Sequence, residues 1–246
     1  MILADDNFTT IVAAVRQGRV IFDNIRKFLR YLLSSNLGEV LTVFGGVVLA
    51  DVIGLTEASS APVVLPLLAT QILWVNLVTD SAPALAMGVD PETDDVMART
   101  PRRMTDRIID IRMWLGALYI GAVIAVATLL SLDVFLPGGL VEGSDSLTVA
   151  RTAAFTTLVL AQLFNVFNCR SETTSAFHRP FVNPWLWGSI GFGLIAQLLV
   201  VETPLLQTAF GTAGLDLRHW LVCAALASSV IWFDEGRKFL LRRTNR

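Results

Sequence analysis

The sequence predicts an all-α membrane protein, a bundle of six transmembrane helices with the first extended as a cytoplasmic stalk. Three observations carry this. Hydrophobic residues make up 54% of the 246 residues and charged ones only 16%, against about 45–50% and about 25% in an ordinary soluble domain. Mean hydropathy is +0.61. Six stretches also approach the roughly 20 apolar residues that a helix needs to cross a bilayer. They run over about 29–50, 65–88, 113–136, 149–168, 185–203 and 217–234. This composition excludes a disordered chain, a collagen and a disulfide scaffold. Cys169 and Cys223 carry no sign of an oxidising compartment. A net charge of −2 gives no global pull toward nucleic acid, so none is expected as a partner. The expected partner is the lipid bilayer.

The elements follow in order. Residues 1–4 are too short for the apolar core of a signal peptide, and Asp5 and Asp6 follow at once. Asp6 or Asn7 could cap a helix. From Phe8 the apolar positions Ile11, Val12, Val15, Ile21, Phe22, Ile25 and Phe28 keep a helical stripe with no Pro to break it. Continued through the first span, this helix would have about 44 residues and a length of roughly 66 Å, about twice the hydrocarbon thickness. Residues 1–28 therefore form a cytoplasmic stalk domain and 29–246 the six-span region. The stalk's stripe needs a partner, which points to a cytoplasmic domain outside this chain. The second stretch is bracketed by Pro66 and Pro83. Trp114, Trp185, Trp187 and Trp220 stand near span ends, where aromatic belts sit. Residues 89–111 read as a charged, solvated loop. Asp133, Glu202, Asp234 and Glu235 fall at helix ends and read as solvated too.

Orientation comes from Lys and Arg. Of the 19 basic residues, 17 fall on one side, and only Arg151 and Arg218 on the other. The positive-inside rule puts both termini in the cytoplasm, with the plasma membrane as the expected location.

Polar residues inside spans are costly and tend to face a bundle interior or an ion path. Asn36 and Glu39 stand i, i+3 on the first span; Asn76, Thr79 and Asp80 stand i, i+3, i+4 on the second. Each set lies on one helix face. Together they offer carboxylate, amide and hydroxyl oxygens of the kinds that bind hard cations such as Ca²⁺. No His or Cys joins them, which argues against a soft metal. Cation ligation is the favoured reading; interhelical hydrogen bonds for the amides and a protonated or paired state for the acids are the alternatives. Gln162 on the fourth span could lend one more oxygen, while Asn165 and Asn168 read as helix–helix glue. Pro83 removes the bond to the Thr79 carbonyl. That leaves either a tolerated kink or a helix opened for an ion, as in many transporters.

Three segments carry a family resemblance. MILADDNFTTIVAAVRQGR at the start, FLRYLLSSNLGEV at 28–40 and QILWVNLVTDSAPALAMG at 71–88 resemble the type II P-type cation-transporting ATPases, with the calcium pumps as the closest branch. The match is strong to about Arg103 and rests on the span pattern beyond. The resemblance implies that the six spans are the family's fifth to tenth. It implies that the chain is the ion-binding and translocation half of an ATP-driven pump moving Ca²⁺ out of the cytosol. The ligand roles then fall on Asn36, Glu39, Asn76, Thr79 and Asp80. Gln162 departs from the Glu of the reticulum pumps and puts a second site in doubt. DKTGT, the nucleotide domain and the first four spans are not in this sequence, so the chain is expected to be a fragment, inactive as an ATPase on its own. ATP as Mg-ATP would be bound only by the full-length pump, and the missing N-terminal and cytoplasmic domains would be its partners. The alternatives are a pump for Mn²⁺, Na⁺ or K⁺, and a non-catalytic membrane protein that associates with a full pump.

Overall fold

The computed structural model describes residues 8–56, 64–92, 95–98, 108–141, 143–172 and 174–244. Among them there are helices and turns and no strands. The caps expected at Asp6 or Asn7 lie outside the described residues.

The first helix, α1 (Phe8–Val48), runs unbroken for 41 residues, as its Pro-free stripe predicts. The second stretch is not one helix. Residues 64–68 are irregular, and then come α2 (Ala69–Trp74), a π turn (Val75–Thr79) and α3 (Ser81–Gly88). Pro83 has no N–H to give the Thr79 carbonyl. The chain absorbs the mismatch with one wide turn, in which the Asp80 N–H reaches back five residues to the Val75 carbonyl at 2.9 Å. The later helices are α4 (Ile111–Phe135), α5 (Leu147–Cys169), α6 (Pro184–Glu202), the short α7 (Pro204–Phe210) and α8 (Leu217–Thr244). Side-chain caps set three of the starts. Asp110 accepts from the Met113 N–H at 2.8 Å, Ser146 from Val149 at 3.4 Å and Asn183 from Leu186 at 3.2 Å. Pro184 then occupies the first turn of α6, where its missing N–H costs nothing.

Among the described residues four helices are long and apolar enough to cross a membrane: α1, α4, α5 and α6. The protein is an integral, multi-pass, all-α membrane protein. The other two expected spans differ from simple apolar rods. One is broken at the π turn, and α8 carries Asp234, Glu235, Arg237 and Lys238 through its second half.

α5 is the axis of the bundle. Ala150, Ala153, Ala154, Phe155, Leu158, Val159, Ala161 and Val166 are all fully buried along it. A helix buried all round belongs at the centre of a bundle. Its alanines let neighbouring backbones come close, which is how membrane helices gain packing when lipid gives no hydrophobic drive. α1 and α4 cross closely at Gly38 and Gly121. A Cβ on Gly121 would stand 2.9 Å from the Leu37 Cβ and 3.0 Å from the Gly38 nitrogen. A Cβ on Gly191 of α6 would meet nothing within 4 Å. Gly121→Ala should therefore destabilise the bundle by about 1–3 kcal/mol through overpacking. Gly191→Ala should be neutral or slightly stabilising, since Ala favours a helix by up to about 1 kcal/mol over Gly. Thermal unfolding in detergent compares them; equal melting temperatures for the two variants would contradict the close crossing.

Three solvated assignments need correction. Asp133 is fully buried, because its carboxylate accepts the Leu140 and Val141 N–H groups at 2.8 and 3.0 Å and so closes the turn after α4. Asp234 is buried as well, since Arg237 and Lys238 one turn further on reach it at 2.7 and 2.9 Å. Glu235 is part-buried and accepts the Ala176 N–H at 2.6 Å. Only Glu202 of the four is exposed.

The start of the 89–111 connection is not a free loop either. It folds onto α1. Arg16 pairs with Glu92 at 2.7 Å, and Arg19 donates to the Val96 carbonyl at 2.7 Å. The Glu92 carboxyl is held below the usual range, first by the Val96 N–H and then by Arg16. Residues 93–94 and 99–107 lie outside the described residues. Even so, Phe8, Val12, Val15 and Ile21 of the stripe remain exposed.

Candidate cation site

The wide turn of the second stretch faces the middle of α1 and α5. Glu39 of α1 is 4% exposed, and both its oxygens are taken. Asn76 Nδ2 donates to Oε2 at 2.6 Å, and Gln162 Nε2 donates to Oε1 at 3.0 Å. Asp80 is 1% exposed, within coulombic reach of Glu39. Its Oδ1 accepts the Tyr31 hydroxyl at 2.8 Å. Two buried oxygens of this cluster, Asp80 Oδ2 and Gln162 Oε1, have no hydrogen-bond partner.

The structure thus brings Glu39, Asn76, Asp80 and Gln162 together from three helices. Thr79 is fully buried beside them, with its hydroxyl donated to the Val75 carbonyl at 3.0 Å. Asn36 is not in the cluster. It is exposed on α1, and its Nδ2 turns back to the Leu32 carbonyl at 2.7 Å. Among the described residues no three His, Cys, Asp or Glu side chains converge as a ready metal site. A cation here would draw on two carboxylates and otherwise on amide, hydroxyl and carbonyl oxygens. That is a hard-cation donor set.

Two features were missed in the sequence. Tyr31 stands two turns before Glu39 on the same face of α1, with Ser35 between, and that i, i+4, i+8 spacing was the available signal. The other is a buried polar hub around Asp90, just after α3. Lys27 reaches its carboxylate at 2.7 Å, Arg170 at 3.4 Å and Asn183 Nδ2 at 3.0 Å. Asn24 donates to the Asp90 carbonyl at 2.8 Å. The hub joins α1, the end of α3, the end of α5 and the start of α6. Asp110 makes a lesser tie on the same side. Partial burial works against its charge, yet the Met113 N–H and Arg26 hold its carboxyl below the usual range.

Comparison with known proteins follows the same lines. Residues 64–240 match the family model described as cation transporting ATPase, C-terminus. The chain is 39% identical over 228 residues to a calcium-transporting ATPase of Bacillus subtilis, covering 93% of this chain and 24% of that protein. It is 32% identical to the endoplasmic reticulum-type calcium-transporting ATPase 2 of Arabidopsis thaliana, covering 98% of this chain and 27% of that one. The Arabidopsis ATPase 4 of the same type is 31% identical, covering 100% and 27%. The chain spans about a quarter of the length of these relatives. On this match the chain belongs to the P-type cation-transporting ATPases and corresponds to their C-terminal membrane region.

Proposed function

We propose that this chain is the ion-binding and translocation part of an ATP-driven pump that carries Ca²⁺ out of the cytosol. The observation that carries the proposal is the pair of buried carboxylates, Asp80 at the end of the π turn and Glu39 bonded to Asn76 within it, with Asp80 Oδ2 and Gln162 Oε1 left without partners. Buried polar oxygens without donors are costly, and a hard cation would satisfy them. Ca²⁺ takes six to eight oxygen ligands. Glu39 and Asp80 would supply the charge, and Asn76, Thr79 and Gln162 neutral oxygens. Asn36 would join only by leaving its bond to Leu32. The relatives' printed names support Ca²⁺ as the cargo.

In the same reading the chain crosses the membrane six times, with α2–α3 and α8 as the two spans that are not simple apolar helices. Both termini face the cytoplasm of the plasma membrane, and the exposed stripe of α1 meets the pump's cytoplasmic domains. Those domains, not this chain, would bind Mg-ATP and carry the phosphorylated Asp. Energy would arrive through α1, the one element that reaches from the stripe to Glu39.

The cargo is tested in vesicles holding the complete pump. ATP-driven uptake of Ca²⁺ is expected to saturate at micromolar or lower concentrations, with Mn²⁺ competing weakly and Na⁺ and K⁺ not at all. Uptake driven equally by Na⁺ or K⁺ would overturn the assignment. Topology is tested separately. Cys169 and Cys223 are buried, so background labelling is low. In intact cells Ser144→Cys should label from outside and Asp95→Cys should not; the reverse pattern would invert the map.

A further inference from the structure

We propose that the cleft between α1, α4, α5 and α8 binds the headgroup of an anionic glycerophospholipid that also carries a hydroxyl donor. The cleft has a volume of about 460 Å³, within the range of small-molecule sites, about 300–1,000 Å³. It opens at the end of the bundle where the basic residues gather, and Arg30, Arg112 and Arg237 line it. Guanidinium groups suit phosphate because their donors form a planar fork.

Two acids also line the cleft, Glu172 and Asp234. Both are already ion-paired. Glu172 pairs with Arg30 and shares Arg26 with Asp110, and Asp234 pairs with Arg237 and Lys238. The balance left at the cleft is positive. Arg112 is exposed and makes no ion pair among the described residues. A phosphate placed between Arg112 and the ion-paired Arg30 and Arg237 would meet donors with no carboxylate left uncompensated.

A second observation defines the rest of the ligand. Asn168, 3% exposed, lines the cleft, donates its Nδ2 to the Val230 carbonyl at 3.0 Å and leaves its buried Oδ1 without a partner. That oxygen is an acceptor with no donor. The ligand therefore needs donors beside its phosphate, as a phosphoglycerol headgroup has. The rim indicates the source of the phosphate. Leu115 and Leu241 line the cleft and are 60% and 39% exposed. Trp114 and Ile111 beside them are also exposed. An apolar rim fits acyl chains and gives a free phosphate ion nothing to touch.

The chain purified in detergent can be titrated with lipids of identical acyl chains and read by native mass spectrometry. Phosphatidylglycerol should be retained about tenfold more tightly than phosphatidylcholine, the difference expected of a charge-assisted hydrogen bond. Phosphatidylmethanol, with the same charge and no hydroxyl, should fall between them. Arg112→Ala should bring phosphatidylglycerol close to phosphatidylcholine, while Arg112→Lys should keep part of the preference. Arg218→Ala, a cation at the other end of the bundle, should leave it unchanged. Arg112 is exposed, so its removal threatens no core contact. Equal retention of the lipids, or equal losses for Arg112→Ala and Arg218→Ala, would overturn the site. Retention of phosphatidylmethanol equal to phosphatidylglycerol would overturn the hydroxyl requirement. Displacement of the lipid by millimolar inorganic phosphate would assign the cleft to a free anion and overturn the lipid.

Discussion

In the complete pump, Asp80→Asn should abolish Ca²⁺-dependent phosphorylation, and Gln162→Ala should leave it largely intact at saturating Ca²⁺. The argument is charge and position. A divalent cation leaving water needs formal negative charge close by to offset its desolvation. Glu39 and Asp80 are the two carboxylates of the cluster, and both are buried. Asn keeps the shape of Asp80 and can still meet the Tyr31 hydroxyl, but it removes half of the site's formal charge. Truncating one partner of a buried charge interaction costs about 3–5 kcal/mol, which is more than about 100-fold in affinity. Gln162 is neutral. Its loss takes away one unpartnered oxygen and frees Glu39 Oε1 from a 3.0 Å bond. A water can replace such an oxygen, since Ca²⁺ sites commonly include water. The expected shift is about tenfold or less, the scale of a single neutral hydrogen bond or ligand. Tyr31→Phe should sit between the two, because it leaves both oxygens of Asp80 without a donor while keeping the charge. Phosphoenzyme formed at graded Ca²⁺ reads all three. A dead Gln162→Ala beside a working Asp80→Asn would mean that the ion binds elsewhere.

The parts of this site that were legible in the sequence are those that repeat along one helix. Asn76, Thr79 and Asp80 share a face because of their i, i+3, i+4 spacing, and Glu39 stood out as an acid inside an apolar span. What the spacing could not give was rotation about the helix axis relative to neighbours. Asn36 and Glu39 are one turn apart, yet Glu39 points into the cluster and Asn36 is exposed. The same limit hid Tyr31, which reads as an ordinary aromatic until Asp80 is placed opposite it. Pro83 foretold a break, but not its form. The backbone widened into a π turn rather than unwinding, because one i→i−5 bond satisfies the Asp80 N–H without losing the helix. The helix-end acids failed for a different reason. Asp133 and Asp234 are buried by partners that depend on tertiary closure, two loop N–H groups in one case and two cations in the other. A sequence shows that such partners exist and not that they meet.

The Asp90 hub gives the largest expected effect on stability. Asp90 has a fully buried carboxylate, and the side chains of Lys27 and Arg170 that face it are only 8% and 6% exposed. Asp90→Ala removes the anion that, among the described residues, both cations share. Neither can reach water without moving α1 or the end of α5. Breaking a buried pair from one side costs about 3–5 kcal/mol, because the surviving charge stays desolvated. At about 2–4 °C per kcal/mol for a chain of this size, the melting temperature in detergent should fall by roughly 6–20 °C. Asp90→Asn keeps an acceptor for Asn183 and should lose less. Lys27→Met in the Asp90→Ala background should recover part of the loss, since it removes one of the two buried charges that Asp90 offsets and keeps the length of the side chain. The order of the three melting temperatures is the test: Asp90→Ala lowest, the double variant above it, Asp90→Asn highest. If Asp90→Ala melts with the native chain, the hub is ornamental and α1 is held to the bundle by its close crossing with α4 and its other polar ties. If the order holds, the ion pair fixes α1 to α3, α5 and α6 at one end of the bundle, some three turns before Glu39. Any movement of the exposed part of α1 must then pass through that fixed point, and the charge pair decides whether it reaches the carboxylates as a rigid shift or is lost in a bend.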